Sequence, residues 1–291
     1  MGSRRSSAAV ARRWAVREHS RNIHVIDITL ERVGDEQRLL LQSDAHVDNP
    51  KCNRDLLLKH LDEARFYDAP ILDNGDWFCA MQGKWDKRAN KMDLRPEHQR
   101  ADYLDSLVST SADLLEPYLD LLTVRGKGNH ETGILKHHET DLTERLVERL
   151  KTAGAPHVYT GGYAGFVVFQ VHYASTRKRP IKLHYHHGFG GGGAVTRGVI
   201  QTNRQAVYLA DADIVWNGHT HDAWQVPIAR VRLNQDCTEV EHTRQIHVRT
   251  AGYKEEWGDG YGGWHVERGA APKPIGAAWL VIRQTGRTGQ P

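Results

Sequence analysis

Apolar and polar residues alternate along residues 22–32 (NIHVIDITLER), the pattern of a half-buried strand. A second strand is expected over 38–42, where Leu39, Leu40 and Leu41 make an apolar centre running into Asp44-Ala45-His46. After Asn49-Pro50 the period lengthens. Leu57, Leu61 and Ala64 share one face of a predicted helix. Residues 70–72 form a short apolar run ending in Asn74-Gly75-Asp76, and 97–122 read as helix, interrupted or ended near Pro117. A strand over 121–124 leads to Gly128-Asn129-His130-Glu131, and 131–151 read as one helix. From 158 to 173 the chain turns β-rich, and 181–187 is a further strand running into a glycine loop at 188–193. A helix over 201–209 and a strand over 214–216 precede Gly218-His219-Thr220-His221, and 222–284 read mostly as strands with a Gly- and Trp-rich loop at 257–264. Strand, polar loop and helix alternate to about residue 150 and strands dominate afterwards. That order predicts an α/β sandwich whose site gathers at strand ends.

Composition adds a few constraints. Apolar residues make up 39% and charged residues 26% of the 291, ordinary for a folded domain, but the 18 histidines stand out as ligand-forming side chains. The net charge of +3 hides an asymmetry. Residues 1–22 contribute six Arg and one Glu, so the remainder is slightly acidic and nucleic-acid binding does not follow from overall charge. This segment lacks a continuous apolar run. Its Arg-rich, acid-poor character resembles a transit peptide, and Gly2 and Ser6 fit a myristoylation pattern, but a flexible basic tail over 1–22 followed by one domain over 23–291 is the expected layout. Three cysteines without a Cys-x-x-Cys suit a reducing, cytoplasmic setting, and no apolar stretch predicts a membrane span.

The chemistry lies in five polar motifs, most of them at the end of an apolar run. Together they offer carboxylate, amide and imidazole groups for two adjacent metal ions. Asp44 and His46, two apart at a strand end, are placed to converge on one ion, although such a pair alone often marks a turn. Asp76 has two oxygens with which to bridge two ions. The Asn129 carbonyl suits a harder cation, which leaves His130 unligated as a general acid with Glu131 to orient it. His219 and His221 complete the set. Gly188-Phe189-Gly190-Gly191-Gly192-Gly193 satisfies a dinucleotide-loop pattern, but the strand before it ends in polar residues and a flexible rim explains the glycines as well.

This order of motifs resembles the calcineurin-like metallophosphoesterase superfamily over roughly residues 37–230. The resemblance implies a four-layer α/β/β/α sandwich, two facing mixed β-sheets flanked by helices, with a dinuclear centre. Carried across by motif, Asp44, His46 and His221 hold one metal, Asn129, His187 and His219 the other, Asp76 bridges them, and His130 stays free. His187 is favoured among neighbouring histidines because it precedes Gly188, with His186 second. The implied activity is hydrolysis of phosphodiesters by a metal-bridging hydroxide, with Mn²⁺ as the expected pair and Fe or Zn²⁺ as alternatives. A nuclease or nucleotide phosphodiesterase is the leading reading. A phosphomonoesterase or protein phosphatase is the alternative, although Trp77 stands where the Ser/Thr phosphatases of the superfamily carry Arg after Gly-Asp. A binding module without chemistry predicts eroded ligand positions, and here all are filled. Residues 77–125 exceed what compact members need, and Trp77, Lys84, Trp85, Lys87, Arg88 and Lys91 are candidates to grip a phosphate or base.

Overall fold

The computed structural model describes residues 12–82, 93–173, 178–191, 193, 195–234, 236–262 and 264–285. The chain runs through β1 (Trp14–Ser20), β2 (Ile23–Leu30), β3 (Glu36–Gln42), α1 (Arg54–Phe66) and β4 (Ile71–Asp73). It continues with α2 (Tyr103–Leu115), β5 (Leu122–Arg125), α3 (Asn129–His138), α4 (Leu142–Thr152) and β6 (Tyr159–Thr160). Next come β7 (Ala164–Tyr173), β8 (Lys178–His186), α5 (Val199–Tyr208) and β9 (Ile214–Asn217). The last elements are β10 (Trp224–Leu233), β11 (Val240–Arg249), a short α6 (Trp264–Glu267) and β12 (Ala278–Arg283).

Two mixed sheets result. One has the order β1-β2-β7-β8-β9-β11-β10, the other β12-β3-β4-β5-β6. In the smaller sheet β3, β4, β5 and β6 are parallel and β12 closes the edge antiparallel to β3. Leu39, Leu40 and Leu41 from β3, Ile26, Ile28 and Leu30 from β2, and Val167, Phe169 and Val171 from β7 belong to one apolar core. Helix α1 packs on β3 through Leu57, Leu61 and Ala64, the face read from its period. The Asn53 side chain caps α1 by accepting from the Leu56 N–H at 2.9 Å. Among the described residues no helix is long and apolar enough to cross a membrane.

Three expectations change. The basic segment is not loose throughout: Trp14–Ser20 pairs antiparallel with β2, and Trp14 is buried with its indole N–H donating to the Asp68 carbonyl at 2.7 Å. Arg12 pairs with Asp68 and Asp120, and Arg17 with Asp27, so these arginines are matched by acidic groups of the body. Residues 1–11, with Gly2 and Ser6, lie outside the described residues. The helix expected over 131–151 is two helices, broken where Glu139 takes a left-handed φ of 52° and Asp141 caps α4 by accepting from Glu144 N–H at 3.1 Å. The helix expected over 97–122 is shortened to α2, with single 3-10 turns at Pro96–His98 and Glu116–Tyr118. The helix expected over 201–209 is α5, which starts at Val199, past the glycine run, so that run does not open a helix, in keeping with the reading that it is not a dinucleotide loop.

Candidate metal centre

The motifs gather just past the carboxyl ends of neighbouring strands, with Asn129, His130 and Glu131 forming the first turn of α3. The loop after β3 and the loop after β4 run side by side, with Asp44 N–H donating to Gly75 O at 2.9 Å, His46 N–H to Asp76 O at 3.1 Å and Val47 N–H to Trp77 O at 2.9 Å. The loop after β5 comes still closer. A Cβ at Gly75 (φ +89°) would overlap the Lys127–Gly128 backbone, and one at Gly128 would overlap the Asp76 carboxylate. Only glycine lets the two loops touch. From the other sheet, the loops after β8 and β9 meet through Gly218 N–H to His187 O at 2.8 Å. Asn74 stitches the sheets together, its amide donating to His186 O at 3.2 Å and Trp216 O at 3.3 Å.

The seven expected ligands converge. Asp44, His46 and His221 form one group of donors, and Asp76, His187 and His219 another. Asn129 joins the second, its Oδ1 lying 2.8 Å from His219 Nδ1 and 3.2 Å from His187 Nε2. Asp76 Oδ2 is 3.1 Å from His187 Nε2, His221 Nε2 is 3.4 Å from Asp44 Oδ1, and His46 Nε2 is 3.3 Å from His221 Nε2. The groups abut, since His187 Nε2 is also 3.9 Å from Asp44 Oδ1.

These spacings fit cations. Donors bound at about 2.1 Å stand about 3.0 Å apart on an octahedron and about 3.4 Å apart on a tetrahedron. The donor set, imidazole nitrogen with carboxylate and amide oxygen, suits Mn²⁺, Fe or Zn²⁺. Ring protons point the same way. His187 Nδ1 lies 2.8 Å from the Asn74 carbonyl, which only accepts, so Nδ1 carries hydrogen and Nε2 offers its lone pair inward. The cavity also demands positive charge. Burial works against a charged His187, yet Asp76 and Asp44 outweigh it and hold its imidazole up to about 10. Burial would likewise raise the Asp76 carboxyl, but the charge of His187 with that of His130 keeps it well below the usual range. His46 is pushed well below its ordinary value by burial and by neighbouring His130, which leaves its imidazole neutral.

His130 and Glu131 divide differently from expectation. His130 Nδ1 donates to the Cys79 carbonyl, which leaves Nε2 toward the centre, 3.7 Å from Asp76 Oδ2. Glu131 does not touch that ring through any hydrogen bond. Its Oε2 accepts from Asp76 N–H at 3.0 Å and Gly128 N–H at 2.8 Å, and its Oε1 accepts from Phe78 N–H at 3.0 Å. The orienting group for His130 is a backbone carbonyl, and Glu131 instead ties two ligand loops together. Burial, with the charge of Asp76, pushes its carboxyl up to about 8 against the pull of the Phe78 and Gly128 N–H groups.

The neighbouring histidines separate cleanly. His187 is fully buried in the centre, whereas His186 Nδ1 accepts from Gly188 N–H at 3.0 Å. His184 stacks edge-on against Phe166, and His172 pairs with Asp27 at 2.8 Å. Trp77 is no substrate grip. It is buried, with its indole N–H on Ser111 Oγ at 3.0 Å and Arg125 over its ring at 4.3 Å. Lys84, Trp85, Lys87, Arg88 and Lys91 lie outside the described residues. Three supporting residues escaped sequence reasoning: Asn74, Cys79 and Arg249, the last donating to Thr220 between the two ligand histidines. The first two sit within three residues of Asp76, a proximity that would have flagged them.

No family model matches the chain, and no curated protein does. Among solved structures it is similar to a conserved uncharacterized protein of Streptococcus pneumoniae described as a predicted phosphoesterase, at 13% identity over 76% of this chain and 75% of that one, with a TM-score of 0.28. It is also similar to the calcineurin-like phosphoesterase YfkN of Bacillus subtilis, at 12% identity over 76% of this chain and 83% of that one, with a TM-score of 0.33.

Proposed function

We propose that this chain is a phosphoesterase working with two divalent cations, and that phosphodiesters, nucleotides or nucleic acids among them, are its substrates. One observation carries the reading. Seven donors from five chain segments stand at the mutual spacings of two coordination shells sharing a wall, with one further imidazole turned toward them. Asp44, His46 and His221 would hold one cation, Asn129, His187 and His219 the other, and Asp76 would reach both. Such a pair supplies Lewis acidity toward a phosphoryl group and lowers the pKa of a water held between its members. His130, with Nδ1 committed to the Cys79 carbonyl, keeps Nε2 for the substrate and delivers a proton from that atom to the leaving oxygen.

Charge favours a diester. A monoester dianion asks for cationic side chains beyond the metals, and among the described residues those flanking the centre are engaged elsewhere. Arg125 is buried against Asp73 and Trp77, Arg249 is held by Thr220 and Trp224, and Lys254 is paired with Glu256. The test is a panel of bis-aryl phosphodiester, aryl monoester, cyclic nucleotide, and single- and double-stranded DNA with Mn²⁺. The diesters should turn over faster. Preference for the monoester would overturn the substrate class, and no turnover of any member would favour a binding module.

A further inference from the structure

A third group of donors lies against the centre and shares only His46 with the first shell. The ligand atoms of His46, Cys79 and His130 all fall within 4.8 Å of one another. Cys79 and His46 are each 2% exposed, so the group is shielded from bulk water on most sides. His46 Nδ1 is buried and has no hydrogen-bond partner, although its other nitrogen faces His221. His130 Nε2 is free of the bond that occupies its Nδ1. The chemistry of this set differs from that of its neighbours. It has two imidazoles and a thiol and no oxygen donor, whereas both expected shells contain carboxylates.

We infer that His46, Cys79 and His130 form a third, inhibitory site for a thiophilic divalent cation of the zinc–cadmium type. Sulfur selects such ions over Mn²⁺ or Mg²⁺. A tetrahedral ion with bonds of about 2.0–2.3 Å spaces its donors about 3.3–3.7 Å apart, so closing the site asks movements of order an ångström. On binding, the S–H bond of Cys79 breaks, its proton passes to water and the sulfur lone pair forms the bond to the cation, while His46 leaves the first shell and carries its hydrogen on Nε2 instead of Nδ1, which frees the Nδ1 lone pair. Occupancy acts twice on the reaction. It takes the Nε2 lone pair of His130, the group assigned to protonate the leaving oxygen, and it draws on His46, which the first shell also uses. The inhibitory half of this inference rests on the phosphodiesterase reading. The binding half does not.

The experiment uses the full chain loaded with Mn²⁺ and carrying Cys237→Ser, because Cys237 is exposed and would bind metal on its own. Cadmium chloride is added while thiolate-to-cadmium absorption in the ultraviolet and hydrolysis of a bis-aryl phosphodiester are followed. One equivalent of the thiolate band is expected, with at least a tenfold fall in rate. Cys52→Ser should keep the band, and Cys79→Ser and Cys79→Ala should both lose it. Relative to their own Mn²⁺ rates, the Cys79 variants should need at least tenfold more cadmium for half-inhibition. A band that survives in both Cys79 variants overturns the site. A lost band with unchanged cadmium sensitivity overturns the inhibitory role. If the parent hydrolyses no ester, the function reading fails while the band still decides whether the site exists.

Discussion

Replacing Glu131 by alanine should unfold the centre rather than silence a catalytic group. The carboxylate accepts three backbone N–H bonds, from Asp76, Phe78 and Gly128, and the residue is 2% exposed. A buried donor left without an acceptor costs about 1–3 kcal/mol, so three of them amount to about 3–9 kcal/mol. A water entering the vacated space would recover part of this and favour the lower end. Whole domains are stable by about 5–15 kcal/mol, which makes the change severe. Glu131→Gln grades the effect. Its single carbonyl can keep the two bonds made by Oε2, while its amide faces the Phe78 N–H, one mismatch of about 1–3 kcal/mol. Urea unfolding followed by tryptophan fluorescence, in chelator and again with Mn²⁺, measures both. The order parent, Gln, Ala is expected in each condition. If Glu131→Ala unfolded within about 1 kcal/mol of the parent yet lost turnover, the residue would be acting on His130, and the loop-tying role would be wrong.

Four further outcomes follow from the same geometry. His130→Ala should lower turnover by about 10²–10⁴-fold with two metals still present by elemental analysis, and a normal rate would remove its acid role. Asp76→Asn should bring bound metal below two equivalents per chain, and full occupancy would refute its reach to both cations. Gly128→Ala forces a methyl onto the Asp76 carboxylate and should cost both stability and metal, whereas Gly133→Ala, with nothing within 4 Å of the new carbon, should be neutral or mildly stabilising. Equal thermal shifts in the two variants would contradict that contact. The His247 imidazole is pushed down from 6.5 to about 4 by burial, with the charge of Arg230 adding to it. Below pH 6.5 the unfolded chain takes up a proton that the folded chain refuses, so stability falls from pH 6.5 toward 4 by up to about 1.4 kcal/mol per unit. Denaturation at stepped pH should show a shallower fall for His247→Gln, and an unchanged slope would rule His247 out.

Much of this architecture was legible because burial imposes periodicity. The apolar face of α1 and the strands ahead of each motif follow from spacing, and the gathering of the motifs at strand ends was expected from the order of strand, polar loop and helix. What was hidden depends on contacts between distant segments. In β1, Arg17 and Glu18 mask a strand whose ordering comes from its ladder with β2 and from the burial of Trp14. Trp77 reads as an exposed aromatic among basic residues until Arg125 and Ser111 close over it. Glu131 follows His130 in sequence, yet its carboxylate turns away to neighbouring loops.

The reason the paired ligands converge also differs from the one the sequence suggests. Side chains two apart on a strand share a face, but their Cα atoms are about 6.6 Å apart along it. Asp44 and His46 lie beyond the end of β3, and His219 and His221 beyond the end of β9. All four have left-handed backbone, with φ between 47° and 74°, as does Asp76 at 53°. Each such residue costs of order 1–3 kcal/mol unless its surroundings enforce it. Asp, Asn and His bear that conformation better than most side chains, because a short polar group can bond locally. Alternating left-handed turns curl the chain so that both side chains of each loop face the centre. The surrounding N–H bonds, among them Asp44 N–H to Gly75 O and His219 N–H to the Asp44 carboxylate, hold the curl in place. Conformational strain gathered on five of the seven expected ligands is therefore a second mark of the centre, independent of which residue types they are.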